Sequence, residues 1–238
     1  MDDTDFDRAL IGAAFELAAE RGWDRVTVVA AALRAGLKLD RARARFPSRG
    51  MILLRFGRLA DMAALGEASG SSETGTGEST RDQLFAMVMR RIDVLQAHRA
   101  GVLALLRWLH RNPMTALMLA AATRRSMAWL LEAAGLSSTG LRGGLRTKGL
   151  LAVWFYTVRA WERDESADLS ATMAALDQAL RRAGRAEEMM PCRGRRRADA
   201  EPTAPPSAPE APPEPPAAAP DLPIATPPPP DEPPPSPA

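Results

Sequence analysis

The stretch AAFELAAERGWDRVTVVAAALRAGLKLDRARARFPSRGMILL, residues 13–54, decides the fold. It ends one helix, spells out two short ones on either side of a glycine, and begins a longer one. Phe6, Leu10, Ala13 and Leu17 recur at steps of four, three and four, so a first helix is predicted from about Asp5 to Arg21. Gly22 is placed to end it in a left-handed cap, and Trp23 supplies a large apolar anchor just beyond. Thr27 can cap a second helix, Val28 to Ala35, which Gly36 stops. A third runs from about Asp40, its expected cap, to Arg45; Phe46-Pro47 breaks it because proline disfavours helical geometry in the residue before it. Ser48 caps a fourth helix, Arg49 to Gly66, with Ile52, Phe56, Leu59 and Ala63 on one side. Two short helices joined by a tight glycine turn and flanked by longer ones describe a helix-turn-helix.

Working outward, GEASGSSETGTGEST at 66–80 reads as a flexible linker. Helical stripes then resume with Phe85, Val88, Ile92 and Leu95, and with Val102, Leu106 and Leu109. Pro113 suits a helix first turn, and a long helix is predicted from Met114 to Ala134. GLSSTGLRGG reads as a loop, Leu145 to Arg163 as an aromatic-rich helix, and a last helix capped by Ser166 or Asp168 ends at Gly184. Among the first 190 residues only Pro47 and Pro113 are proline, whereas 19 of the 21 prolines fall in the last 48 residues. That tail has no periodic apolar positions with which to offset the entropy of ordering it. The expected architecture is all-α: a helix-turn-helix domain at 1–48, a connecting helix at 49–66, a linker at 67–80, a helical bundle at 81–187 for ligand binding and dimerisation, and a disordered Pro/Ala-rich tail at 188–238.

The lone cysteine, Cys192, excludes a disulfide scaffold and fits a reducing cytoplasm. The acidic start MDDTDFDRAL has neither the basic nor the apolar region of a signal peptide, and no apolar run approaches the length of an integral membrane segment. Cytoplasmic localisation is the expectation.

The net charge of +2 conceals sorting. Between Arg34 and Arg58 eight basic residues face one acid, Asp40, which is +7 over 25 residues, while the first 24 residues are acidic. A run of this kind points to a polyanionic partner, double-stranded DNA. The second short helix is the expected reader. Lys38, Arg41, Arg43, Arg45 and Arg49, with Thr27, are the candidate DNA-binding residues, because Arg and Lys neutralise phosphates and Arg also forks onto guanine. If helical spacing persists past Pro47, Arg41, Arg45 and Arg49 share a face.

Over these residues the chain resembles the TetR family of transcriptional regulators. Gly22-Trp23, the Thr27 cap, the Gly36 turn and Phe46-Pro47-Ser48-Arg49 fall at that family's spacing without a gap. The chain departs from the pattern at Arg43, where the family usually has tyrosine, at Lys38 and Asp40, where it has small residues, and at Ala31, where it has isoleucine. The resemblance implies DNA binding as a homodimer that pairs through its last two long helices, here about 145–163 and 168–183, and a response to a small apolar or lipid-like ligand. A second resemblance covers VWFYTVRAWERDESADLSATMAALDQAL, residues 153–180. Its aromatic helix, Asp164/Ser166 turn, Thr172 and Leu176-Asp177 pair look like the TetR-like lipid-binding accessory family of coenzyme Q (ubiquinone) biosynthesis. That likeness implies a lipid carrier without DNA affinity.

In either case the bundle should have an apolar interior, and Trp108, Met118, Trp129, Trp154, Phe155 and Trp161 are the expected lining of a ligand pocket. The chain is not expected to be an enzyme or to hold a cofactor. His98 and His110 are twelve residues apart, too far to share a helix face as a metal pair. GLRGGLRTKG follows no strand and so is no phosphate loop. The tail's Arg193 and Arg195–Arg197 are read as a solvated basic cluster within a polyproline extension.

Overall fold

The Asp2 carboxylate accepts the amide of Asp5 at 2.7 Å and so opens α1, Asp3–Arg21. The structure is a computed structural model and describes residues 1–66 and 79–188. The expected linker, apart from its ends, and the expected tail with Cys192 and Arg195 lie outside the described residues. Phe6, Leu10, Ala14, Phe15 and Ala18 of α1 are buried, and Gly22, at φ 82°, returns its amide to the Ala18 carbonyl at 3.0 Å. One 3₁₀ turn, Trp23–Arg25, seats the buried Trp23. The Thr27 hydroxyl oxygen accepts from the Ala30 amide at 3.0 Å and opens α2, Val28–Arg34. Gly36, at φ 64°, lets the Leu37 amide reach back to the Ala32 carbonyl at 2.8 Å, which closes the turn.

α3 spans Leu39–Arg45, one residue earlier than expected, with Lys38 rather than Asp40 in the cap position and no side-chain bond there. Asp40 instead occupies the first turn, where its charge complements the positive helix end. The remaining described helices are α4, Arg49–Gly66; α5, Thr80–Gln96; α6, Arg99–Leu109; α7, Pro113–Ala133; α8, Gly140–Arg163; and α9, Ser170–Glu188. The described residues are helical and contain no strand. Among them no helix is long and apolar enough to cross a membrane.

Two helices outrun their expected ends. α8 begins at Gly140, inside the stretch expected to be loop, because Gly143 there permits close approach and is not a breaker. A methyl built on Gly143 would overlap the backbone of Ser138. α9 continues through Gly184 to Glu188, since an internal glycine weakens a helix by only about 0.5–1 kcal/mol.

The α8–α9 hinge is held by Asp164, whose carboxylate accepts from the amides and hydroxyls of both Ser166 and Thr172 at 2.5–3.0 Å. The Ser166 hydrogen bond, then that of Thr172, holds this carboxyl well below the usual carboxylate range. Arg99 donates to the carbonyls of Trp161, Glu162 and Asp164 from the other side. Asp164, Ser166 and Thr172 thus fix the turn between α8 and α9.

α9 packs along α8, α8 on α7, α4 on α5, and α1 on α6. At the α1–α6 crossing a methyl built on Gly101 would overlap the Phe15 carbonyl oxygen, so only glycine fits without displacing backbone. Gly101→Ala is therefore expected to lower unfolding free energy by about 1–3 kcal/mol in a denaturant titration. A variant as stable as the parent would show that the crossing is looser than described.

Candidate nucleic-acid interface

The acids of α1 fold back onto the basic segment that follows them. Of the eight cations between Arg34 and Arg58, four pair with those acids: Arg34, Arg41, Arg45 and Arg55. Arg34 forks onto Glu20 at 2.7 and 2.8 Å. Arg41 bonds Asp3 at 2.5 Å, reaches the carbonyls of Met1 and Asp2, and lies 4.5 Å over the Phe6 ring. Arg45 forks onto Asp7 at 2.8 and 2.9 Å and also pairs with Asp3. Arg55 donates to the same Asp7 at 2.5 Å and covers Phe46 at 5.0 Å. The charge that reads as +7 unopposed along the chain is thus opposed in space.

The cause is a match of spacings. Asp3 and Asp7 lie four apart on α1, Arg41 and Arg45 four apart on α3, so each pair occupies one helix face. Burial pushes the Asp7 carboxyl up, but the hydrogen bonds from Arg45 and Arg55 outweigh it and hold it below the ordinary value of 3.8. The bond to Asp7 in turn makes Arg45 harder to deprotonate than a free arginine.

Arg49 does not join Arg41 and Arg45. The Phe46-Pro47-Ser48 break turns it toward the carbonyls of Trp23 and Asp24, at 3.2 and 3.0 Å, with its guanidinium 4.9 Å over Trp108. Three of the expected reading arginines are therefore engaged inside the chain. The solvent-facing side of α3 presents Lys38, Leu39, Asp40, Arg43 and Ala44, all exposed. Arg43 donates one N–H to the Pro47 carbonyl at 2.9 Å, which braces its stem and leaves the rest of the fork outward. Thr27 is exposed, its oxygen engaged as a cap and its O–H still able to donate.

The six residues expected to line one ligand pocket do not converge. Trp161 is fully buried, its Nε1 donating to Gln96 at 2.8 Å beneath Arg99. Trp154 is buried 4.7 Å beneath Arg91. Trp108 backs Arg49, Met118 faces Gly50, and Trp129 and Phe155 are 61% and 49% exposed. Helical spacing places an aromatic on a face, but the neighbouring helix decides whether that face is inside.

Between α1, α4 and α5 lies a cleft of about 800 Å³ that sequence reasoning did not anticipate, with Ile11, Phe56, Leu59, Ala63, Val94 and His98 among its walls. Nearby, Arg91 of α5, 3% exposed, pairs with Asp61 of α4, which also accepts from Ser126 of α7 at 2.6 Å. Burial pushes Arg91 down to about 10, which leaves it charged at neutral pH. This triad ties α4 to the bundle.

Asp7 carries the packing of α3, so Asp7→Ala is expected to cost about 1.5–3 kcal/mol of stability at pH 7. Because the folded pKa is depressed, that advantage is complete above the ordinary 3.8 and fades as pH falls through the folded value. Parent and variant melting temperatures should therefore converge in acid. Equal stability at pH 7 would contradict the assignment.

Neither a protein-family model nor a curated protein matches the chain. Solved structures do. A TetR transcriptional regulator from Nitrosomonas europaea ATCC 19718 superposes with a TM-score of 0.61 at 22% identity, over 75% of this chain and 97% of that one. A TetR transcriptional regulator from Rhodococcus sp. RHA1 aligns over 77% of this chain and 97% of its own, at 18% identity and a TM-score of 0.43. The chain has the fold of a TetR transcriptional regulator.

Proposed function

We propose that the chain is a DNA-binding transcriptional regulator that acts as a homodimer and whose DNA affinity a small, largely apolar ligand shifts. The observation that carries this reading is the exposed face of α3, held rigid by the Asp3 and Asp7 contacts behind it, on a fold shared with a TetR regulator. A helix of this size fits the major groove, roughly 12 Å wide. Arg43 would fork onto guanine or a phosphate, and Lys38 and the Thr27 hydroxyl would meet phosphates. Asp40 repels phosphate and is tolerable at a groove only over a donor such as the cytosine amino group, so it would narrow the choice of base. Leu39 would offer an apolar contact to a thymine methyl.

So few contacts give weak binding from one chain, and two half-sites would supply the rest. α8 favours pairing. Leu141, Leu145, Phe155 and Tyr156 are exposed and fall on one side of that helix at its 3.6-residue period. Phe155, expected in a pocket, would on this reading belong to the dimer seam. The ligand's effect requires that it bind the DNA-competent and incompetent arrangements unequally.

The test is selection of randomised duplex DNA by the full chain at two salt concentrations. A palindromic site that survives the higher salt is expected. Lys38→Ala should reduce the salt slope by about one, and Arg43→Ala should relax preference at one base pair of each half-site for a loss of about 1–3 kcal/mol. Binding that collapses with salt and enriches no site would overturn the regulator reading.

A further inference from the structure

The acids of α1 cancel half of the positive charge around the two short helices, but no such partner meets the cations at the end of α6. From Val94 to Leu131 the chain carries five arginines and no acid. Arg99 is committed to the α8–α9 hinge. Arg107 and Arg111 flank Trp108, and both are exposed. Arg107 lies in the last turn of α6, and Arg111 just past it, its amide bonded to the Trp108 carbonyl at 3.0 Å.

That end of α6 is fastened to the start of α4. The Arg49 guanidinium lies 4.9 Å over Trp108 and donates to the carbonyls of Trp23 and Asp24, which the exposed Arg25 follows in the chain. A carbonyl satisfies a donor without cancelling its charge, so Arg49 remains a full cation there. Among the described residues Arg25, Arg107 and Arg111 have no ion-pair partner. Of residues 23–25, 47–50 and 107–112, Asp24 alone is acidic, against four arginines. The patch also continues from α3, because Arg43 is braced on the carbonyl of Pro47, two residues before Arg49.

We propose that this patch is a second contact with duplex DNA, in which Arg107 and Arg111 neutralise backbone phosphates just outside the base pairs that α3 meets. Its cations stand at a helix end beside α3, not along a helix that could enter the groove, so they suit phosphates and not base edges. The contact supplies what α3 lacks. Phosphate neutralisation provides much of the affinity for DNA, and α3 itself turns outward only Lys38 and Arg43 as cations. The inference rests on the regulator reading of α3.

The test uses the full chain and the duplex that the parent selects, made in two lengths. One ends at the site, and the other carries about half a helical turn of flank on each side. The double variant Arg107→Ala/Arg111→Ala should lower the salt slope on the flanked duplex by about two per bound chain and weaken binding about tenfold. It should bind the short duplex like the parent, with the same base preference and the same melting temperature. The control is Arg124→Ala/Arg125→Ala, which removes the same charge from exposed positions of α7. These lie beside Ser126, which meets α4 at Asp61, ~18 Å along that helix from Arg49. The control should bind both duplexes like the parent. Parent-like affinity of the Arg107/Arg111 variant for the flanked duplex, an equal loss on the short duplex, or an equal loss in the control would each overturn the proposal and leave α3 as the reader. A parent that selects no site would remove the regulator reading, and this contact with it.

Discussion

Two guanidinium groups share one carboxylate at the heart of the N-terminal region, and the placement of α3 depends on it. Asp7 of α1 receives Arg45 of α3 and Arg55 of α4, and Asp3 adds a second anchor to Arg45 and one to Arg41. Asp7 and both its partners are largely withdrawn from solvent, so these pairs are worth more than surface ion pairs, and removing the acid strands two cations beside each other. α3 has only seven residues and could not hold its orientation by its own apolar contacts, of which Ala42 is the buried representative. The charge contacts supply what that short helix lacks.

From this clasp two mechanical routes run into the bundle. One follows α1 to its crossing with α6 at Gly101, where the absence of a side chain brings backbone against backbone. The other follows α4 to the Asp61–Arg91–Ser126 triad on α5 and α7. The cleft lies between the two routes. A change in the angle between α1 and α4 would reach α3 through Asp7, because Asp7 is where those helices and α3 meet.

The TetR-type fold was legible because it is written in local signals whose spacing is rigid: the Gly22 and Gly36 caps, Thr27, and the Phe46-Pro47 break. The division of labour on α3 was also present in the sequence, as matched four-residue spacings of Asp3/Asp7 and Arg41/Arg45, but a running tally of charge treats neighbours in the chain as neighbours in space. Such a tally assigns Arg41 and Arg45 to DNA, whereas in space both pair with Asp3, and Arg45 with Asp7 as well. The pocket was the least legible part. Trp129 and Phe155 sit at regular helical spacing yet face outward, since burial is decided by pairs of helices; nothing local to His98 announces that Phe15 and Phe56, more than forty residues upstream, will enclose it. Gly140 to Gly144 misled in the opposite direction, because glycine serves close packing as readily as it breaks a helix.

The central claim is that α3 holds itself in place with one set of arginines and presents another. It is tested most directly by comparing Arg45→Ala with Arg43→Ala in thermal unfolding and in affinity for a selected duplex, measured well below both melting points. The account expects Arg45→Ala to melt several degrees lower and Arg43→Ala to melt with the parent while losing most DNA affinity. The reverse pattern, with Arg45→Ala stable but unable to bind and Arg43→Ala indifferent to DNA, would contradict it.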